Sequence, residues 1–175
     1  MKIIKNLTFL VLLFLLMSSG TAMAQRNVSI TQTGDLAVRI EGQTYVCLSE
    51  NGHIKGFGIA SNELISHFND RVDRVGSTSI SYFDGKIDKI GSLSISYFNG
   101  KVDRAGNVSI SYFDGRVDRI STSSISYFNG QIDKIGDESI SYFNGRVDRI
   151  GTTSISAESN QDQIVEITLH GNCAY

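Results

Sequence analysis

Six aspartates stand fifteen residues apart: Asp73, Asp88, Asp103, Asp118, Asp133 and Asp148. Paired carboxylates can do acid–base chemistry, but only when the two members differ in environment and therefore in pKa. Identical copies at a fixed period share one environment, so these six read as a solvated charged face. Serine is abundant, yet no Gly-x-Ser-x-Gly elbow occurs. The three histidines, His53, His67 and His170, lie outside the clean copies of the repeat. His170 near Cys173 supplies two ligands where a metal site needs three or four. The Asp-Gly pairs match neither an EF-hand loop nor the nonapeptide calcium repeat. There is no phosphate loop. The residues therefore point away from an enzyme, and they imply no metal and no cofactor.

The periodic residues that remain are aromatic. Phe68, Phe83, Phe98, Phe113, Phe128 and Phe143 share the same period. A regular apolar row on a polar face would be an interaction site, with avidity from repetition. The competing reading is that these phenylalanines cap the core at the hairpin ends.

The element that must position them is legible in one repeat. Ser79-Ile80-Ser81-Tyr82-Phe83 alternates polar with apolar and uses strand-forming residues. Asp84-Gly85 is the dipeptide of a type I′ turn, and Asn-Gly takes its place from Asn99, Asn129 and Asn144. Lys86 to Ile90 returns, and Gly91-Ser92-Leu93 connects to the next copy. The weakest copy starts at Ile65, with His67 in place of Tyr and Asp70 in place of Gly. Asn51 to Gly58 echoes the motif with an altered offset.

A two-residue turn predicts that Phe83 faces Lys86, Tyr82 faces Ile87, Ser81 faces Asp88 and Ile80 faces Lys89. That register puts Ile80, Tyr82, Ile87 and the stem of Lys89 on the core face. It leaves Ile90 on the wrong side, which a bulge near Asp88-Lys89 would correct.

The fold class expected is all-β, an antiparallel meander of 15-residue hairpins in a curled or partly closed sheet. The rival is a parallel β-solenoid. Stacked coils would place six aspartates in one ladder and six cations in another, which is unfavourable. A meander sets the same charges two strands apart.

Around the array lie a 1–24 leader, a 25–64 N-terminal β cap containing the degenerate repeat, the six repeats of 65–156, and a 157–175 C-terminal loop and capping strand. Val28–Thr31, Leu36–Ile40 and Thr44–Leu48 read as strands of the cap, and Ile164–Leu169 as the last strand. The leader has Lys2 and Lys5, an apolar run from Leu7 to Met17, and Ala22-Met23-Ala24, which is the pattern of a secretory signal cleaved after Ala24. The expected destination is secretion or the periplasm, with no membrane span in the mature chain. Sixteen basic against eighteen acidic side chains leave no basic stripe for nucleic acid.

Cys47 and Cys173 flank the array. In an exported chain they predict a disulfide, with separate thiols or intermolecular pairing as alternatives. A bridge requires the ends of the array to meet, either because the sheet curls or because residues 157–172 run back.

The unit Tyr-Phe-Asp-Gly-Lys-Ile resembles the YD repeats of Rhs-type bacterial secreted and surface proteins. The likeness spans roughly residues 65–156 and implies strand–turn–strand architecture only. The function expected is that of an exported, non-enzymatic binding or adhesive module, with a surface polysaccharide or a protein as partner. A fibre-forming matrix subunit is the alternative, or an ice-binding protein should the repeats form a solenoid.

Overall fold

Each Asn/Asp-Gly pair requires two consecutive residues at positive φ, a conformation that most side chains resist. The computed structural model, which describes residues 27–59, 64–155 and 168–171, shows that conformation at every hairpin tip. Asp84 has φ 48° and Gly85 76°, and Asn99 and Gly100 have 51° and 79°. The expected signal segment, residues 1–24, and the expected 157–163 loop lie outside the described residues.

These turns set the architecture, which is all-β and antiparallel. The array begins with β5 (Ile65–Phe68), β6 (Arg71–Val75), β7 (Thr78–Phe83), β8 (Lys86–Ile90), β9 (Leu93–Phe98) and β10 (Lys101–Ala105). It continues through β11 (Val108–Phe113), β12 (Arg116–Ile120), β13 (Ser123–Phe128) and β14 (Gln131–Ile135) to β15 (Glu138–Phe143), β16 (Arg146–Ile150) and β17 (Thr153–Ser154). Sequence order is spatial order across this 13-stranded sheet. The second sheet has five strands in the order β1 (Val28–Ile30), β2 (Leu36–Glu41), β3 (Thr44–Leu48), β4 (Ile54–Ile59) and β18 (Thr168–Gly171). The degenerate segment 51–58 therefore contributes β4 to the small sheet and not a strand to the array.

The expected register is wrong by one residue beyond the tip. Phe83 pairs with Lys86 and Tyr82 with Ile87, but Ser81 then pairs with Lys89 and Ile80 with Ile90. Asp88 is the extra residue of a β-bulge. The same shift occurs in all six hairpins. The bulge resets the alternation, so that Ile90 turns inward to 1% exposure and Lys89 turns out to solvent. Lys89 is therefore not on the core face. Strand β9 starts at Leu93, so the connection is the two-residue turn Gly91-Ser92.

That connecting turn also needs positive φ. Glycine supplies it at Gly76, Gly91, Gly106, Gly136 and Gly151, but Ser121 stands there once, with φ 51°. A left-handed non-glycine residue costs about 1–2 kcal/mol, offset by the ~0.4–1 kcal/mol of extra unfolded-state entropy that glycine would bring. Ser121→Gly should raise stability by ~0.5–1 kcal/mol, read as a higher urea midpoint at constant slope.

The array is open, with β5 and β17 as its edges, so the expected closure does not occur. The five-stranded sheet lies against the inner face instead. Leu36, Val38, Val46 and Leu48 join one apolar core with Ile90, Val102, Val117 and Ile120. Loop carbonyls then fix the docking. Gly52 O accepts from Val102 N–H at 3.1 Å, Glu50 O from Val117 N–H at 2.8 Å, and Gln32 O from Val147 N–H at 3.0 Å.

Closure is unnecessary for bringing the ends together, because β18 returns to the small sheet. Gly171 pairs with Gly56, which pairs with Cys47. Strand β18 thus lies in the neighbourhood of Cys47. Cys47 is buried at 1% exposure, while Cys173 lies outside the described residues.

Candidate functional site

The bulge that turns Ile90 inward leaves a complete second face on the array. Ser81, Phe83, Lys86 and Lys89 all point outward there. Each Phe sits at the last strand position before a tip and pairs with the first residue after it, as Phe83 does with Lys86 and Phe113 with Arg116. The six phenylalanines are 67–77% exposed. They do not cap the core. Successive rings are two strands apart, at the tips of neighbouring hairpins. A phenylalanine side chain offers about 150–250 Å², so the six rings together display on the order of 800 Å² of apolar surface.

The charges beside the row are held in place. Ser81 Oγ donates to Asp88 Oδ1 at 2.6 Å, and Ser111 Oγ to Asp118 Oδ1 at 2.8 Å. The same bond forms from Ser66, Ser96, Ser126 and Ser141. Six carboxylates thus have one geometry. The bulge makes this bond possible, since it sets Asp88 beside Ser81 while Lys89 takes the paired position.

Tyrosine fills a second role that sequence reasoning missed. Within a hairpin the ladder runs from tip to base, but between hairpins only two pairs form, such as Arg119 with Ser124 and Ile120 with Ser123. Neighbouring hairpins diverge towards their tips. The Tyr hydroxyl spans the opening: Tyr97 donates to Ile87 O at 2.7 Å and Tyr127 to Val117 O at 2.9 Å. The cation of the preceding tip covers the ring, with Lys86 Nζ at 5.2 Å from the Tyr97 centroid and Arg116 at 5.2 Å from that of Tyr127. Arg71 and Lys101 do the same over Tyr82 and Tyr112. One signal was available: Gln131 replaces this cation ahead of Tyr142, whose ring lies 3.6 Å from a Cβ built on Gly34 of the docked sheet. The cations that alternate with Phe are thereby drawn towards tyrosine, which leaves the Phe rings uncovered.

Burial first, and then the carboxylate of Asp88, pushes the Tyr97 hydroxyl up to about 12. Burial and Asp103 do the same for Tyr112, and burial and Asp133 for Tyr142, each to about 12. An unfolded tyrosine titrates near 10, so folding favours the protonated form. The contribution to stability is complete below about pH 10 and is lost as pH rises through about 12. Alkaline titration should show one cooperative loss of near-ultraviolet dichroism in that window, together with tyrosinate absorbance. Gradual ionisation with the fold intact would contradict the hydroxyl bonds.

A cleft of about 350 Å³ lies between β1 and the β14–β16 end of the array, with Ile135, Ile140 and Ile150 as apolar lining and Arg39, Tyr45 and Glu138 as polar lining. Among the described residues no three His, Cys, Asp or Glu side chains gather as a metal site would require. No helix of the described residues is long and apolar enough to cross a membrane. No protein-family model, curated protein or solved structure matches the chain.

Proposed function

We propose that this chain is an exported, non-enzymatic binding or adhesive module that engages its partner through the Phe row. The exposure of all six rings carries the reading, because a folded chain with a well-filled core has no structural use for them outside it. Repetition supplies avidity: weak contacts at successive repeats become intramolecular once the first has formed. The Ser–Asp pairs support a binding role over a catalytic one. They hold six carboxylates in one environment, where acid–base catalysis needs two that differ.

Export rests on the leader, with its basic start, apolar run and Ala-x-Ala end. The pairing of Cys47 with Cys173 belongs to the same proposal, and it is supported by the return of β18 to within two strands of Cys47.

The test is retention of the mature protein on glycan-coated and protein-coated surfaces, compared with a variant carrying Phe98→Ser, Phe113→Ser and Phe128→Ser. Each exposed substitution should change the unfolding free energy from urea melts by no more than about 0.5 kcal/mol, while retention falls steeply. Unchanged retention on every surface would end this reading.

A further inference from the structure

Strand β5 is an open edge of the array, and its backbone groups point alternately to either side. Leu64 O accepts from Gly76 N–H at 3.0 Å, so Leu64 turns towards β6, and by alternation so do Ser66 and Phe68. Ile65 and His67 turn their N–H and C=O groups to the free edge. Ile155, six periods on, shows what such a group does when a hairpin precedes it: its N–H donates to Asp148 O at 2.7 Å. Among the described residues no strand pairs with the free side of β5. The side chains are exposed as well. Leu64 is 91% exposed, at a position that is serine in the other five hairpins. Ile65 is 38% exposed, against 5–7% for its counterparts from Ile80 to Ile140. Edge strands are ordinarily blunted by charge, proline or shortness. Leu64 to Phe68 carries no Lys, Arg, Asp, Glu or Pro, whereas β17, the other edge, is two residues long.

We infer that β5 pairs with β5 of a second copy, antiparallel, about a two-fold axis at Ser66. Strand direction selects this join. Thirteen antiparallel strands are an odd number, so β5 and β17 run the same way, and a head-to-tail join would need a parallel pair. A two-fold axis makes the β5–β5 pair antiparallel and self-complementary. With the axis at Ser66, Ile65 of one copy lies opposite His67 of the other. The two such pairs use every N–H and C=O that β5 turns to its free edge. Leu64 then lies opposite Phe68 of the second copy on the outer face, so the exposed leucine gains an apolar cross-strand partner. This match between the two halves of one strand is what commits the edge to a second copy, since any extended peptide could satisfy the backbone alone. The contact area is small, so the dimer is weak and concentration-dependent. Paired residues share a face, so both outer faces lie on the same side of one continuous sheet. A partner surface then meets two Phe rows, which adds avidity. The interface itself does not depend on what the Phe row binds.

Sedimentation velocity at rising protein concentration should show a reversible monomer–dimer equilibrium. Leu64→Ser, which restores the residue of the other hairpins, removes both Leu–Phe contacts and should weaken dimerisation by about tenfold or more. Its exposure means that the fold is kept, which circular dichroism checks. Ser66→Cys should form an intermolecular disulfide under mild oxidation. The two copies of residue 66 face each other as a non-hydrogen-bonded pair, with Cα atoms about 4.5 Å apart, within the range a disulfide spans. Ser81→Cys, at the same place in the next hairpin, should not cross-link. A protein that stays monomeric at every concentration and gives no Ser66→Cys cross-link overturns the proposal. Association that Leu64→Ser leaves unchanged overturns it too, and loss of that association in Phe98→Ala with Phe113→Ala assigns it to the outer faces. A monomer that is still retained on surfaces through its phenylalanines overturns the dimer and leaves the binding-module reading standing.

Discussion

Gly52→Val should be among the most damaging single substitutions in the chain, costing on the order of 3 kcal/mol or more. Gly52 lies in the β3–β4 loop with φ 77°, where a β-branched residue is strained. A Cβ there would also lie 2.0 Å from the Tyr112 hydroxyl and 2.5 Å from ring carbons of the same residue. Tyr112 cannot withdraw freely, because its hydroxyl donates to Val102 O and its ring carries Lys101. Gly52 O itself accepts from Val102 N–H. Displacing the loop therefore breaks the seat of the small sheet on the array as well as one hairpin-to-hairpin bridge. The expected result is a large fall in urea midpoint. Near-parental stability would mean that the two sheets do not dock through this loop.

The second large effect concerns the bulge. Ile120 is fully buried because Asp118, two residues before it on the same strand, is left over as the extra residue of the bulge. Ile120→Ala should cost about 2–5 kcal/mol through lost burial and the cavity left behind. Ser109→Ala, on an exposed position of the neighbouring strand, should stay within about 0.5 kcal/mol. The unbulged register reverses the facing of Ile120, sets it beside Ser109 on the outer face and predicts a small cost for both variants. Equilibrium urea melts of the two variants decide between them.

The hairpins were legible in the sequence because Asn-Gly and Asp-Gly state a backbone requirement that few other pairs can meet. The period followed from the recurring motif, and the preference for a meander over a solenoid from charge spacing. The bulge left only an indirect trace, an isoleucine on the wrong face, because Asp88 is as acceptable in a regular strand as in a bulge. The docking of the small sheet was not legible at all. It depends on the carbonyls of Gln32, Glu50 and Gly52, and any residue provides a carbonyl. The expected closure of the array failed for a related reason: the apolar face that called for curling is covered by β1–β4, whose own pattern gave no sign of where they pack. The Phe row was visible as a period, and the two-residue tips already set it off the core face. The tyrosine bridges were invisible because their acceptors are backbone groups ten residues upstream.

Residue-resolved radical footprinting of the free protein tests the central claim most directly, namely that one face of the array is core and the other displays an uncovered aromatic row. Phe68, Phe83, Phe98, Phe113, Phe128 and Phe143 should label readily and to similar extents, while Ile80, Ile95, Ile110, Ile125 and Ile140 should be protected. Protected phenylalanines beside labelled isoleucines would contradict the facing of the array and the binding surface built on it.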